Sequence, residues 1–190
     1  MMVNNQEETM NKKIRMICAM STFTLAAFSF SAFAAGPITK DEVAAAQQKW
    51  GECLVKIGQT ATDKGDVKAA AATCIDTLYA YDNGGVLFKP TKAAEQQFRP
   101  TKEEALSYFV TGGIKEDHGF ALQPWSKVRF ENASTITDSD SAISMGNYYF
   151  TDAKTGKEVK VEYTFGYVKD DKGNLRINLH HSSLPYTPVH

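Results

Sequence analysis

The spacing of apolar side chains changes character near Gly119, and that change leaves the chain few architectures. Before it, apolar residues recur at helical intervals; after it, they alternate. Val43, Ala46, Trp50, Leu54 and Ile57 form one helical stripe. Val67, Ala70, Ala71, Cys74, Ile75 and Leu78 form a second, and Leu106, Phe109 and Val110 mark a third. Beyond Gly119 the strand signals are Val128 with Phe130, the stretch from Ala142 to Phe150, and the run Val159, Val161, Tyr163, Phe165, Tyr167. Leu175, Ile177 and Leu179 make the last strand. Helices followed by a meander of hairpins is an α+β order. It predicts a curved, cone-shaped antiparallel sheet packed on three N-terminal helices.

Local signals set the boundaries. Thr39 with Glu42, and Thr101 with Glu104, are capping boxes. The first helix is expected from Lys40 to Ile57, with Gly58 as its stop. The second is expected from Asp66 to Tyr81, ended by Asp82-Asn83-Gly84-Gly85. Val86-Leu87-Phe88 reads as a short strand ended by Pro90, and Gly112-Gly113 closes the third helix. Ala153–Gly156 and Asp170–Gly173 are turns between strands.

The N-terminus carries a different pattern. Lys12, Lys13 and Arg15 precede the uncharged stretch Ile17–Phe30, and Ala32-Phe33-Ala34 supplies small residues for cleavage. A basic flank, a short apolar run and a small-residue exit read as a secretory signal peptide. A bilayer span needs about 20 apolar residues, more than this run offers. Residues 1–34 are therefore expected to be removed, with 1–9 an upstream extension before Met10. Residues 35–190 then form a single domain, located in the periplasm. The formal net charge of −1 offers no basic surplus for nucleic acid or an anionic membrane.

Export also bears on the cysteines. Cys18 leaves with the signal segment, which leaves Cys53 and Cys74 in an oxidising compartment. They lie nearly equidistant from the middle of the turn joining the first two helices. In an antiparallel helix pair they come level, which predicts a Cys53–Cys74 disulfide; the alternative is two buried free thiols.

The most distinctive stretch is His180-His181-Ser182-Ser183, four polar residues at the end of the last alternating strand. In that position the run resembles the signature of iota-class carbonic anhydrases. The helix and strand order resembles the nuclear transport factor 2-like (SnoaL-like) superfamily, in which the calcium/calmodulin-dependent kinase II association domain has a looser version of the same ending. The resemblance extends to the short strand, Thr91, and Tyr108-Phe109-Val110. It implies reversible hydration of carbon dioxide to bicarbonate, in a pocket where Thr91, Tyr108, His181 and Ser183 act on substrate. Strand alternation puts Leu175, Ile177, Leu179, His181 and Ser183 on one face, toward the pocket. His180 and Ser182 then point outward, unless a bulge intervenes. His181 is the expected proton acceptor, and Tyr163 is a further source of a hydroxyl in the cavity.

The family resemblance implies both metal-dependent and metal-free members. Adjacent His180 and His181 on a regular strand face opposite ways and cannot share one ion. His118 sits in a loop and His190 is the final residue. A metal-free site without cofactor is expected, with zinc or manganese as the alternative. The carboxylate pairs Glu103–Glu104 and Asp138–Asp140 read as a helix start and a polar turn, not as catalytic groups. The resemblance also implies a homodimer paired through outer sheet faces. The competing reading is a non-catalytic ligand-binding or oligomerisation module, because folds of this kind host many functions.

Overall fold

The computed structural model describes residues 36–189. The expected signal segment lies outside the described residues, as does His190. Three helices come first: α1 (Lys40–Thr62), α2 (Val67–Leu78) and, after the short strand β1 (Leu87–Lys89), α3 (Lys102–Val110). A single 3-10 turn, Phe120–Leu122, leads into four long strands. These are β2 (Trp125–Thr137), β3 (Ser141–Asp152), β4 (Glu158–Lys169) and β5 (Leu175–Ser183).

Both capping boxes form. The Thr39 hydroxyl accepts from the Glu42 amide, and the Glu42 carboxylate accepts from the Thr39 amide at 2.7 Å. Thr101 and Glu104 repeat the arrangement at the start of α3. Gly58 does not stop α1, which runs on to Thr62. A Cβ at Gly58 would sit 3.2 Å from the carbonyl oxygens of Ala121 and Gln123. The glycine is there for close approach of α1 to the chain entering β2, not for a turn. Helix α3 ends at Val110, and Thr111 takes the left-handed conformation (φ 67°) expected of the following glycines.

The sheet order is β1-β5-β4-β3-β2. The four long strands are antiparallel to one another, as expected. The short β1 adds to the far edge in parallel, pairing Phe88 with His180 and Lys89 with His181. The sheet is therefore mixed rather than wholly antiparallel. This parallel pairing carries the chain beyond β1 alongside the end of β5.

The helices bury one sheet face around Trp50, an α1 residue whose ring meets Phe130, Tyr148, Phe150, Phe165 and His180. Aromatic pairs of this kind add about 0.5–1.5 kcal/mol each beyond area burial. Helices α1 and α2 are tied by the Cys53–Cys74 disulfide, with a Cα separation of 6.0 Å. Closing a loop of 21 residues restricts the unfolded chain by about 3 kcal/mol in the chain-entropy model. Reduction, or paired Cys53→Ala and Cys74→Ala substitution, is expected to lower unfolding stability by about that amount. Urea denaturation with and without reductant checks it; coincident midpoints would contradict the cross-link's contribution.

Candidate active site

Strand β5 does not keep the alternation that its sequence suggests. Leu179 pairs with Gly166 of β4, but the next pair is Ile177 with Tyr167, so Asn178 is an extra residue. The bulge reverses the facing of everything after it. Ile177 points inward, and so do His180 and Ser182, at 3% and 2% exposure. His181 and Ser183 lie on the outer face. His181 is exposed, and the Ser183 hydroxyl donates to Glu162 at 3.2 Å. The expected pocket-lining pair is thus on the wrong side of the sheet, and its neighbours take the inner positions.

Gly166 makes the bulge possible. A Cβ there would lie 2.8 Å from the Asn178 side-chain oxygen and 2.9 Å from the Leu179 Cβ. A lone glycine among aromatic and β-branched strand residues is the sequence signal for a bulge.

Ser182 meets Thr91, whose loop follows β1 along the same edge. The two hydroxyl oxygens are 2.8 Å apart. Tyr108 reaches the same place from α3, its hydroxyl accepting from the Lys92 amide at 3.3 Å. Tyr148 arrives from β3, fully buried, stacked on Trp50 at 5.7 Å and on Tyr163 at 5.3 Å. Thr91 and Ser182 both interact with its hydroxyl, and Thr91 also with that of Tyr108. Burial, the dominant cause, pushes both phenols well above the usual tyrosine range. They stay protonated as hydrogen-bond donors. Tyr148 was not singled out from sequence. Its signal is alternation in β3, where Ala142, Ser144, Tyr148 and Phe150 share the buried face.

His180 lies deeper, its ring 4.5 Å from Phe88 and 4.3 Å from Phe165. The Trp50 indole N–H donates to the Tyr79 hydroxyl at 2.8 Å. That hydroxyl lies 2.9 Å from His180 Nδ1. The phenol and Nδ1 share one hydrogen bond, whose direction follows the imidazole tautomer. Nε2 has no partner in the protein. Burial holds the His180 pKa well below the ordinary histidine value, and the neighbouring His181 lowers it further.

Tyr163 is buried but joins a different network. Its hydroxyl bonds Gln47, Ser144 and Asn132. Near Tyr108 a pocket of about 290 Å³ opens to solvent, lined also by Lys92, Asp117, His118, Phe120 and Gln123. Buried Arg99 holds its rim, pairing with Asp117 at 2.8 Å. Glu116 accepts from the amides of Ala94, Glu95 and Gln96, which draws its pKa down to about 2.

A family model described as metal-independent carbonic anhydrase matches residues 41–184, a span that contains every residue of this cluster. The chain belongs to the metal-independent carbonic anhydrase family. A member from Nostoc sp. is 49% identical over 154 residues, spanning 78% of this chain and 75% of its own length. The crystal structure of a cyanobacterial iota-carbonic anhydrase complexed with bicarbonate superposes with a TM-score of 0.76 at 47% identity. It covers 80% of this chain and 95% of that one. An NTF-2 like protein of unknown function from Shewanella oneidensis shares the fold at 12% identity and a TM-score of 0.50, covering 75% of this chain and 97% of its own. Metal independence is the family's own description. Among the described residues no three His, Cys, Asp or Glu side chains converge as a metal site.

Two expectations follow. Gly166→Ala forces the bulge to shift, and is expected to destabilise the protein by about 1–3 kcal/mol and to lower activity; thermal unfolding and a hydration assay measure both. For His180, stability is complete above the unfolded pKa of about 6.5 and declines as pH falls, because the unfolded chain gains the proton first. At pH 6 its imidazole NMR signals should remain those of the neutral ring.

Proposed function

We propose that the chain hydrates carbon dioxide reversibly to bicarbonate, without a metal, at the cluster formed by Thr91, Tyr108, Tyr148 and Ser182. The observation that carries the reading is the meeting of four hydroxyls from four separate segments beside a pocket open to solvent. The bicarbonate bound by the cyanobacterial relative supports the choice of substrate.

The chemistry fits the donor set. Carbon dioxide is apolar, and the Phe120 ring, which lines the pocket and stacks on Tyr108, suits it. As water attacks, one carbon–oxygen double-bond pair moves onto an oxygen, which needs hydrogen-bond donors. The phenols of Tyr108 and Tyr148 donate, and so does whichever of Thr91 and Ser182 turns its proton outward. The same serine and threonine oxygens accept from the attacking water and orient it. His180 Nε2, without a partner in the protein, is a further polar atom behind them. Burial disfavours the charged imidazole, which makes His180 a poor base.

The N-terminal pattern of residues 10–35 supports export to the periplasm, and the disulfide suits that compartment. Exposed Ile136, Ile143 and Met145, on the sheet face away from the helices, support pairing of two copies through that face.

The roles are separable by mutation. Tyr108→Phe and Ser182→Ala are each expected to lower kcat by about 100-fold, the usual cost of one transition-state donor. His181→Ala is expected to leave kcat near wild type. Stopped-flow hydration assays decide it. Unaltered rates in the first two variants would remove the hydroxyl cluster from the reaction.

A further inference from the structure

We propose that His118 is the proton-relay residue of this site, carrying the proton of hydration from the pocket to solvent buffer. This rests on the carbonic anhydrase reading above.

Each hydration forms one bond from water oxygen to carbon and releases one proton. The hydroxyl cluster has nowhere to keep it: Tyr108 and Tyr148 are already protonated, and burial disfavours a charged His180 imidazole. The proton must leave through the opening next to Tyr108. That pocket, about 290 Å³ in volume, is large enough to hold water. His118 lines it and is itself exposed, so one imidazole touches both the pocket and bulk solvent.

The other titratable groups facing this space are unsuited. Glu116 is held as a carboxylate by three backbone amides, with a pKa of about 2. Asp117 is buried against Arg99. The Lys92 amine is turned over the Phe120 ring, 6.0 Å from its centroid. Tyr108 is the donor to substrate. An imidazole exchanges protons rapidly near neutrality. Of the other described histidines, His180 is sealed in the core and His181 is on the far sheet face.

The backbone on either side of His118 is fixed. The Asp117 carbonyl accepts from the Thr111 hydroxyl at 2.7 Å. Gly119 is left-handed, with φ 74°, and a Cβ there would lie 2.6 Å from the Leu122 side chain. The histidine backbone is thus held at the rim, with the exposed imidazole beside the pocket. In each cycle neutral His118 takes the proton through pocket water and passes it to buffer, returning to the neutral form.

The test uses the processed wild-type protein and His118→Ala. In weak buffer the variant is expected to lose roughly 10- to 100-fold in net hydration kcat. Isotopic exchange between carbon dioxide and bicarbonate at equilibrium, which needs no net proton export, should stay near wild type. Added imidazole should restore net turnover. Equal rates for variant and wild type in weak buffer would overturn the relay. So would a loss that imidazole does not restore, which marks a merely structural effect. A wild-type protein with no hydration activity would instead sink the carbonic anhydrase reading itself.

Discussion

The phenol of Tyr79 holds the molecule together. It accepts from the Trp50 indole of α1 and shares a hydrogen bond with His180 of β5, while Tyr79 itself caps the end of α2. Three elements distant in sequence meet on one buried oxygen. A net hydrogen bond contributes only about 1 kcal/mol, but a buried group left unpaired costs about 1–3 kcal/mol. Removing this oxygen strands two partners at once, so the joint matters more than either bond alone. It also fixes the orientation of the imidazole ring, by a directional bond that apolar packing around His180 does not supply.

That joint works because β5 presents His180 inward, and this depends on the bulge at Asn178. The sequence carries both parts of the arrangement, but at different strengths. Helical spacing, capping boxes and alternation are repeated signals, so α1, α3 and the four long strands are legible from the chain alone. The approach of Cys53 to Cys74 follows from the same helix geometry. A bulge is a single-residue event, and one slip inverts every residue beyond it. Regular alternation therefore assigned His181 and Ser183 to the pocket when His180 and Ser182 occupy it. Gly166 was the only mark of the exception. Gly58 misled for a related reason: a glycine that permits close approach looks the same, in sequence, as one that ends a helix. Thr91 and Tyr108 were readable because their positions depend on a short strand and a helix, not on strand parity. Tyr148 was hidden among several equally plausible aromatic residues.

The two walls of the open pocket come from loops, and loops need tethers. Arg99 provides one, buried between Asp117 and the carbonyls of Gln96 and Phe98. Replacing a buried ion pair by apolar groups is often neutral or stabilising, so its value lies elsewhere than in raw stability. Here it couples the segment after Thr91 to the segment bearing His118, while Glu116 gathers three amides of the first. Neither segment has helix or strand bonds of its own to hold it. The ion pair and the carboxylate supply the fixed positions that regular structure supplies elsewhere.

Two polar clusters lie along the sheet, yet only one is open for chemistry. Gln47, Asn132, Ser144 and Tyr163 bond one another, and Ser144 also meets Thr135 and the Ser134 carbonyl, which spends their donors and acceptors on structure. Thr91 and Ser182 share a bond and also meet the phenols of Tyr108 and Tyr148, Tyr108 accepts one from the Lys92 amide, and His180 Nε2 has no partner. Surplus donors next to a pocket are costly in a core and useful only to a ligand that brings lone pairs. All of these groups are uncharged, which also matters. A buried cation would hold bicarbonate tightly and slow its release. Neutral hydroxyls strengthen as charge develops on the substrate oxygen and let the product go once water returns. A metal-free reaction in a protein core depends on that balance: enough donors to stabilise a forming anion, without holding it too tightly to let it go.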